Sequence, residues 1–168
     1  QSLRNLEDSL VSIELFEDDP LDADVADRLE AVPAGGRGDV SATHLIWDVG
    51  RGANVTSPLL HDGYLYWSHD KAIALCLRAS DGEEMFRERM PTRGRVYASI
   101  VSDGEKLFLT TRDAGVLVLA AEPNYRELAT NQLGSDEERF NATPAIVDGQ
   151  LLLRSDQALY CVRRRTGT

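Results

Sequence analysis

The chain reads as an all-β protein made of small antiparallel sheets in series, and three observations predict this. Asp-Gly stands between two short apolar runs at 62–63, 103–104 and 148–149, with spacings of 41 and 45 residues. The surrounding segments, TSPLLHDGYLYWSHD (56–70), ASIVSDGEKLFLTTRD (98–113) and ATPAIVDGQLLLRSD (142–156), align with one another. From residue 41 onward the apolar residues follow no helical period.

Each Asp-Gly predicts a hairpin. A two-residue type I′ turn needs positive φ at both central residues, which Asp and Gly tolerate. That assigns Asp62, Asp103 and Asp148 to turn chemistry rather than catalysis. Pro58 and Pro144 stand at the start of the first strand of their repeats, where a missing amide donor does little harm. After the hairpin comes a polar turn (Ser68-His69-Asp70, Thr110–Asp113, Ser155-Asp156), then a third apolar run: AIALCL (72–77), GVLVLA (115–120) and ALYCVR (158–163). A fourth follows as EMFRERM (84–90) and YRELATNQL (125–133).

Four short strands in meander order at this period are the pattern of a propeller blade. The predicted fold class is therefore a partial β-propeller of four-stranded antiparallel blades. Successive blades are expected at about 50–91, 92–135 and 136–164. HLIWDV (44–49) reads as the last strand of a preceding blade and LEAV (29–32) as its third, joined by a Gly-rich loop at 34–43, so that 29–49 is part of a blade. Residues 1–28 do not fit the repeat and read as an irregular acidic segment or insertion. In that region LVSIELF (10–16) could be a strand, ADVADRLEAV (23–32) a helix and EDDPLDAD (17–24) a loop. Propellers close with about four to eight blades, so the ring is incomplete. Its remaining blades, or another chain, are expected partners, because each blade buries its faces only against neighbours.

Charge narrows the partners. The net charge is −10, and residues 1–40 carry eleven acids against three bases. An acidic chain repels a phosphate backbone, so nucleic-acid binding is not expected. Arg163, Arg164 and Arg165 read as a solvated strand end. No apolar run is long enough for a membrane span. The chain starts with Gln and shows no signal peptide, which reads as a processed or excised piece.

Cys76 and Cys161 both fall in third strands, with a whole blade between them, so both are expected to be reduced, buried packing residues. Tyr64, Tyr66, Trp67, Phe108, Tyr160, Trp47 and Phe86 are expected to pack between blades. His44, His61 and His69 are scattered over different edges, and no metal site is expected from them. Arg37-Gly38-Asp39 reads as an accidental adhesion tripeptide. The sequons at Asn54 and Asn141 recur because the strand-start sequence recurs.

The junction CLRASDGEEMFR (76–87) resembles the repeat of the bacterial pyrroloquinoline-quinone-like (PQQ-like) β-propellers, Ala-x-Asp-x-x-Thr-Gly-x-x-x-Trp. Gly82 stands at its glycine and Phe86 at its aromatic. Cys76 takes the place of the small residue, while Arg78 replaces the acid and Asp81 the threonine. The runs GANVTSPLLHDGYLYW, RVYASIVSDGEKLFLTT, NATPAIVDGQLLLRSD and ALYCV look like C-terminal blades of secreted members, and the likeness covers residues 29–168.

The resemblance implies a propeller of an exported bacterial protein, periplasmic or extracellular. Its members include quinone-dependent alcohol dehydrogenases, an outer-membrane assembly lipoprotein and uncharacterised binding propellers. A dehydrogenase of this type needs quinone and calcium in an axial pocket, a catalytic Asp and, in the alcohol oxidisers, a vicinal disulfide. No adjacent cysteines exist here, and no carboxylate recurs at strand starts. No catalytic residue is therefore assigned. Asn54, Arg95, Tyr97 and Asn141, at or before the first strand of each blade, are the candidate ligand-facing residues of the axial funnel. The expected function is a non-catalytic binding or scaffold propeller that presents loops to a protein, peptide or glycan. A fragment of a quinone-dependent dehydrogenase and a structural subunit of a larger assembly stay open.

Overall fold

Alternation of apolar and polar residues between turn signals gives short strands, and among the described residues thirteen of them form four antiparallel sheets. The computed structural model describes residues 29–32, 44–50, 52–53, 55–92, 94–113, 115–135 and 137–163. The expectations for 1–28, the Gly-rich loop, the Arg-Gly-Asp tripeptide, Asn54 and Arg164-Arg165 lie outside those residues.

The first sheet pairs β1 (Leu29–Ala31) with β2 (Trp47–Val49). The second holds β3 (Leu59–His61), β4 (Tyr64–His69), β5 (Ile73–Arg78) and β6 (Glu84–Arg89). The third holds β7 (Val101–Ser102), β8 (Lys106–Thr111), β9 (Gly115–Ala120) and β10 (Glu127–Asn131). The fourth holds β11 (Ala145–Val147), β12 (Gln150–Arg154) and β13 (Leu159–Arg163). Within each sheet the strands lie in chain order, as a meander requires. Leu29–Ala31 is strand, so the helical alternative fails there: Leu29 and Ala31 alternate inward in a way that a helix would not allow.

The hairpin turns divide into two kinds. Asp62-Gly63 and Asp148-Gly149 have positive φ at both residues (48° and 80°, 49° and 70°), as a type I′ turn demands. The middle repeat departs from that expectation. Glu105 adds one residue, pairing closes at Ser102 with Leu107, and Gly104 (φ 99°) takes the first central position in front of a negative-φ Glu105. That is the II′ pattern. Asp103, moved out of the turn's centre, closes it with its side chain: Oδ1 accepts from the amides of Glu105 (3.0 Å) and Lys106 (2.8 Å).

The sheets stack through apolar faces set by register. Tyr66 pairs with Cys76 across β4–β5, and Cys76 with Phe86 across β5–β6. This face meets Leu107, Leu109, Leu117 and Leu119 of the third sheet in one buried cluster. The opposite face of the second sheet, Leu65, Trp67, Leu75 and Leu77, packs on Leu29, Ala31 and Trp47. Val116 and Val118 of the third sheet pack on Leu151, Leu153 and Tyr160 of the fourth. Burial raises the Cys76 thiol to about 12 and the Tyr66 hydroxyl beyond its ordinary range, so both stay neutral.

Two further contacts seal the stack. Trp47 Nε1 donates to Ala79 O (2.9 Å), and its indole lies flat against Gly82 (φ 72°), where an added Cβ would sit 2.9 Å from the ring. The corner beside it survives the exchange of residue types. Arg78 Nη1 donates to Asp81 Oδ2 (2.8 Å), while Asp81 Oδ1 accepts from the Glu83 amide (3.1 Å). The Glu83 amide and the Arg78 guanidinium together hold the Asp81 carboxyl below the usual range.

Both cysteines are free, as expected, but only Cys76 is buried. Cys161 is exposed, and its thiol donates to Gln150 Oε1 (2.8 Å). The correction has a simple cause. Cys161 occupies the register position of Cys76, but no described sheet covers its face.

Candidate ligand-facing end of the sheets

In a meander, the β4–β5, β8–β9 and β12–β13 turns and the segments leading into β7 and β11 share one end. Hydrogen bonds confirm the placement. The amide of Val96, on the segment leading into β7, donates to Asp70 O (3.1 Å) in the β4–β5 turn. That of Phe140, leading into β11, donates to Arg112 O (3.0 Å) in the β8–β9 turn. The leading segments also join hands: the Ser57 amide donates to Ser99 Oγ (2.9 Å) and the Ser99 amide to Thr143 Oγ1 (3.0 Å). The sheets therefore fan out from their first strands, and this end surrounds the fan's centre.

Arg95 reaches back to the preceding sheet, where Nη1 lies 3.3 Å from Asp70 Oδ2. Asp70 is only 7% exposed, and its other oxygen stands 2.8 Å from His69 Nδ1. Forty-four residues on, Arg139 repeats the gesture, with Nε 3.1 Å from Asp113 Oδ1. These two pairs clasp neighbouring sheets, and Arg95 is thus committed to one of them. Tyr97, half-buried, carries the Arg112 guanidinium 5.4 Å above its ring, a cation–π pair. Asn141 is exposed on the segment leading into β11. Of the sequence-selected residues, Arg95 and Tyr97 share one segment, while Asn141 belongs to the next.

Three features escaped the sequence reading. Glu138 is a buried carboxylate that accepts from Ser155 Oγ (2.6 Å), from Tyr160 Oη (2.8 Å to Oε1 and 2.7 Å to Oε2) and from the Ser135 amide (3.1 Å). The Ser155 and Tyr160 donors hold it below its ordinary value. The Asp70–Arg95 and Asp113–Arg139 clasps escaped too, although the 44-residue recurrence of Arg was a usable signal. The third is a cleft of about 180 Å³ lined by Gly50, Gly52, His69, Lys71, Ile73 and Arg87. Nothing in the sequence joins β2's end to β6.

No protein-family model matches the chain, and no curated protein matches it by sequence. Solved structures do match. BamB from Moraxella catarrhalis superposes with a TM-score of 0.64 at 17% identity, over 82% of this chain and 40% of its own. The chain has a β-propeller fold, with antiparallel sheets as blades. Quinohemoprotein alcohol dehydrogenase from Comamonas testosteroni matches with a TM-score of 0.51 at 14% identity, over 60% of this chain and 17% of its own. The chain thus spans less than half the length of either propeller.

A quinone held by calcium asks for carboxylates that converge on one point. Here Asp70 and Asp113 are engaged by Arg95 and Arg139 of different sheets. Among the described residues no three His, Cys, Asp or Glu side chains gather where they could hold a metal. The described residues do not fit that group. Among them, too, no helix is long and apolar enough to cross a membrane.

Proposed function

We propose that this chain is part of a non-catalytic binding or scaffold propeller that receives a polypeptide partner at the end bearing Arg95, Tyr97 and Asn141. The observation that carries the reading is the Tyr97–Arg112 stack. It holds a planar cation against an aromatic ring at a loop-built end, and Tyr and Arg are both residue types enriched at protein interfaces. The neighbouring cleft adds Lys71 and Arg87, so an acceptor-rich segment suits this end of an otherwise acidic chain. The division into blades at about 50, 92 and 136, with 1–28 set apart, belongs to this reading. So does an exported bacterial setting, periplasmic or extracellular, which rests on resemblance. Glycan ligands and a structural-subunit role are served by the same end.

The quinone-dependent alternative is tested by adding the quinone with calcium. The expected result is no retained chromophore and no dye reduction with a primary alcohol; a retained quinone that reduces dye would displace the binding reading. The binding reading is tested by amide chemical shifts during titration with extended acidic peptides. Shifts are expected at Tyr97, Arg112 and Asn141, and Tyr97→Ala is expected to remove them. Shifts confined to the opposite turns, or none, would refute it.

A further inference from the structure

The cleft between the end of β2 and the second sheet has a charge opposite to that of the chain. It is lined by His69, Lys71 and Arg87 beside the apolar Ile73 and Leu75, and no carboxylate lines it. The chain as a whole carries −10. Register produces the contrast. In β6, Arg87 pairs with Leu75 and Arg89 with Ile73, on the face turned to the first sheet, whereas Phe86 and Glu88 pair with Cys76 and Ala74, on the face turned to the third. Strand alternation thus sorts both arginines to the cleft side and Glu88 away from it. Arg89 stands beside the cleft, where its Nη1 donates to Lys71 O (3.3 Å).

The neighbouring acids leave these cations to a ligand. Asp70, next in the chain to His69 and Lys71, is buried and already held: Oδ2 lies 3.3 Å from Arg95 Nη1 and Oδ1 2.8 Å from His69 Nδ1. The Lys71 amide also donates to that Nδ1 (3.2 Å), so Nε2 is the ring nitrogen left over. Asp48 stands between Trp47 and Val49, which pack on the second sheet, and therefore faces the other way. Among the described residues, neither Lys71 nor Arg87 is ion-paired with a carboxylate. A lysine and an arginine together carry +2. One carboxylate balances half of that, whereas a phosphate monoester, at about −1.5 to −2, matches it. The arginine fork suits two phosphate oxygens and the lysine a third. About 180 Å³ would hold about six waters at liquid density, which is room for a phosphate with a short organic group.

We propose that this cleft binds a small phosphate monoester. Lys71 and Arg87 hold the phosphate with His69 beside them, and the carbon end rests on Ile73 and Leu75. The site does not depend on the polypeptide reading, which is carried by Tyr97 and Arg112 at another pair of sheets. Each is read from its own residues, so either can fail alone.

The test is a titration of the full 168-residue chain with n-butyl phosphate, followed by amide and arginine side-chain NMR shifts. Saturable shifts are expected at Gly52, Lys71, Ile73 and Arg87, together with the His69 ring. Inorganic phosphate lacks the carbon end and acetate lacks the second charge, and each is expected to bind at least about tenfold more weakly. Lys71 and Arg87 are exposed, so Lys71→Met and Arg87→Met keep the fold, which the amide spectrum checks. Each is expected to weaken n-butyl phosphate at least about tenfold. Lys106→Met removes the same charge from the third sheet and is expected to change the affinity by less than about twofold. Absence of saturable shifts, equal binding of inorganic phosphate or acetate, or an equal loss in Lys106→Met would each overturn the proposal.

Discussion

The second and fourth sheets are built on one strand plan yet live in different surroundings. In the second, both faces are covered: Trp67 meets the first sheet and Tyr66 the third. In the fourth, Leu153 and Tyr160 meet a neighbour, while the other side, with Leu159 and Cys161, is exposed. The difference teaches that burial in this molecule belongs to pairs of sheets and not to strands. A strand's apolar pattern says which faces could be buried; only the neighbour decides whether they are.

The sharpest way to break that comparison is to truncate one leucine on each side of it. Leu117→Ala in the double-covered third sheet is expected to cost about 2–5 kcal/mol, because it leaves a cavity between two packed sheets. Leu159→Ala is expected to stay within about 0.5 kcal/mol. Urea melts of the two variants measure both, and equal losses would erase the distinction.

A somewhat smaller effect is expected at the seal between the first two sheets. Gly82→Ala puts a Cβ against the Trp47 indole at a positive-φ position and is expected to cost about 1–3 kcal/mol. Trp47 fluorescence is expected to shift toward that of a solvated indole in the same variant. An unchanged melt with an unchanged spectrum would show that this contact does not hold the sheets together.

The smallest effect is a pH dependence confined to the fourth sheet. Hydrogen bonds lower the folded-state value of Glu138, so its contribution is complete above the ordinary value of about 4.5 and fades as the pH falls through the lower, folded-state value. Tyr160 ring resonances are therefore expected to lose their native shifts in acid before those of Tyr66 do. Glu138→Gln is expected to remove that early step. Asp81 and Glu122 are also lowered, but both pair with arginines in solvent and add little.

Much of this architecture was legible in the sequence because hairpin chemistry is local. Asp62-Gly63 and Asp148-Gly149 announce their turns, and Pro58 and Pro144 mark the residue before β3 and β11. The Asp103 turn was misread in type because a single inserted residue, Glu105, moves the glycine to the first central position. Cys161 was misplaced because strand pattern cannot report whether a neighbour covers it, and none of the described sheets does. The loop end was only partly legible. Arg95 and Tyr97 were selected from their place before a first strand, but their partners Asp70 and Arg112 come from turns 25 and 15 residues away in the chain. Glu138 reads as one acid in the run DEER, and only the fold brings Ser155 and Tyr160 to it.

The central claim, that among the described residues the third sheet is enclosed by neighbours while the fourth is covered on one face, is tested most directly by native-state hydrogen exchange on the 168-residue chain. Amides of β8 and β9 are expected to exchange only through global opening, and those of β12 and β13 at least about tenfold faster through local opening. Equal protection across both sheets would contradict the account.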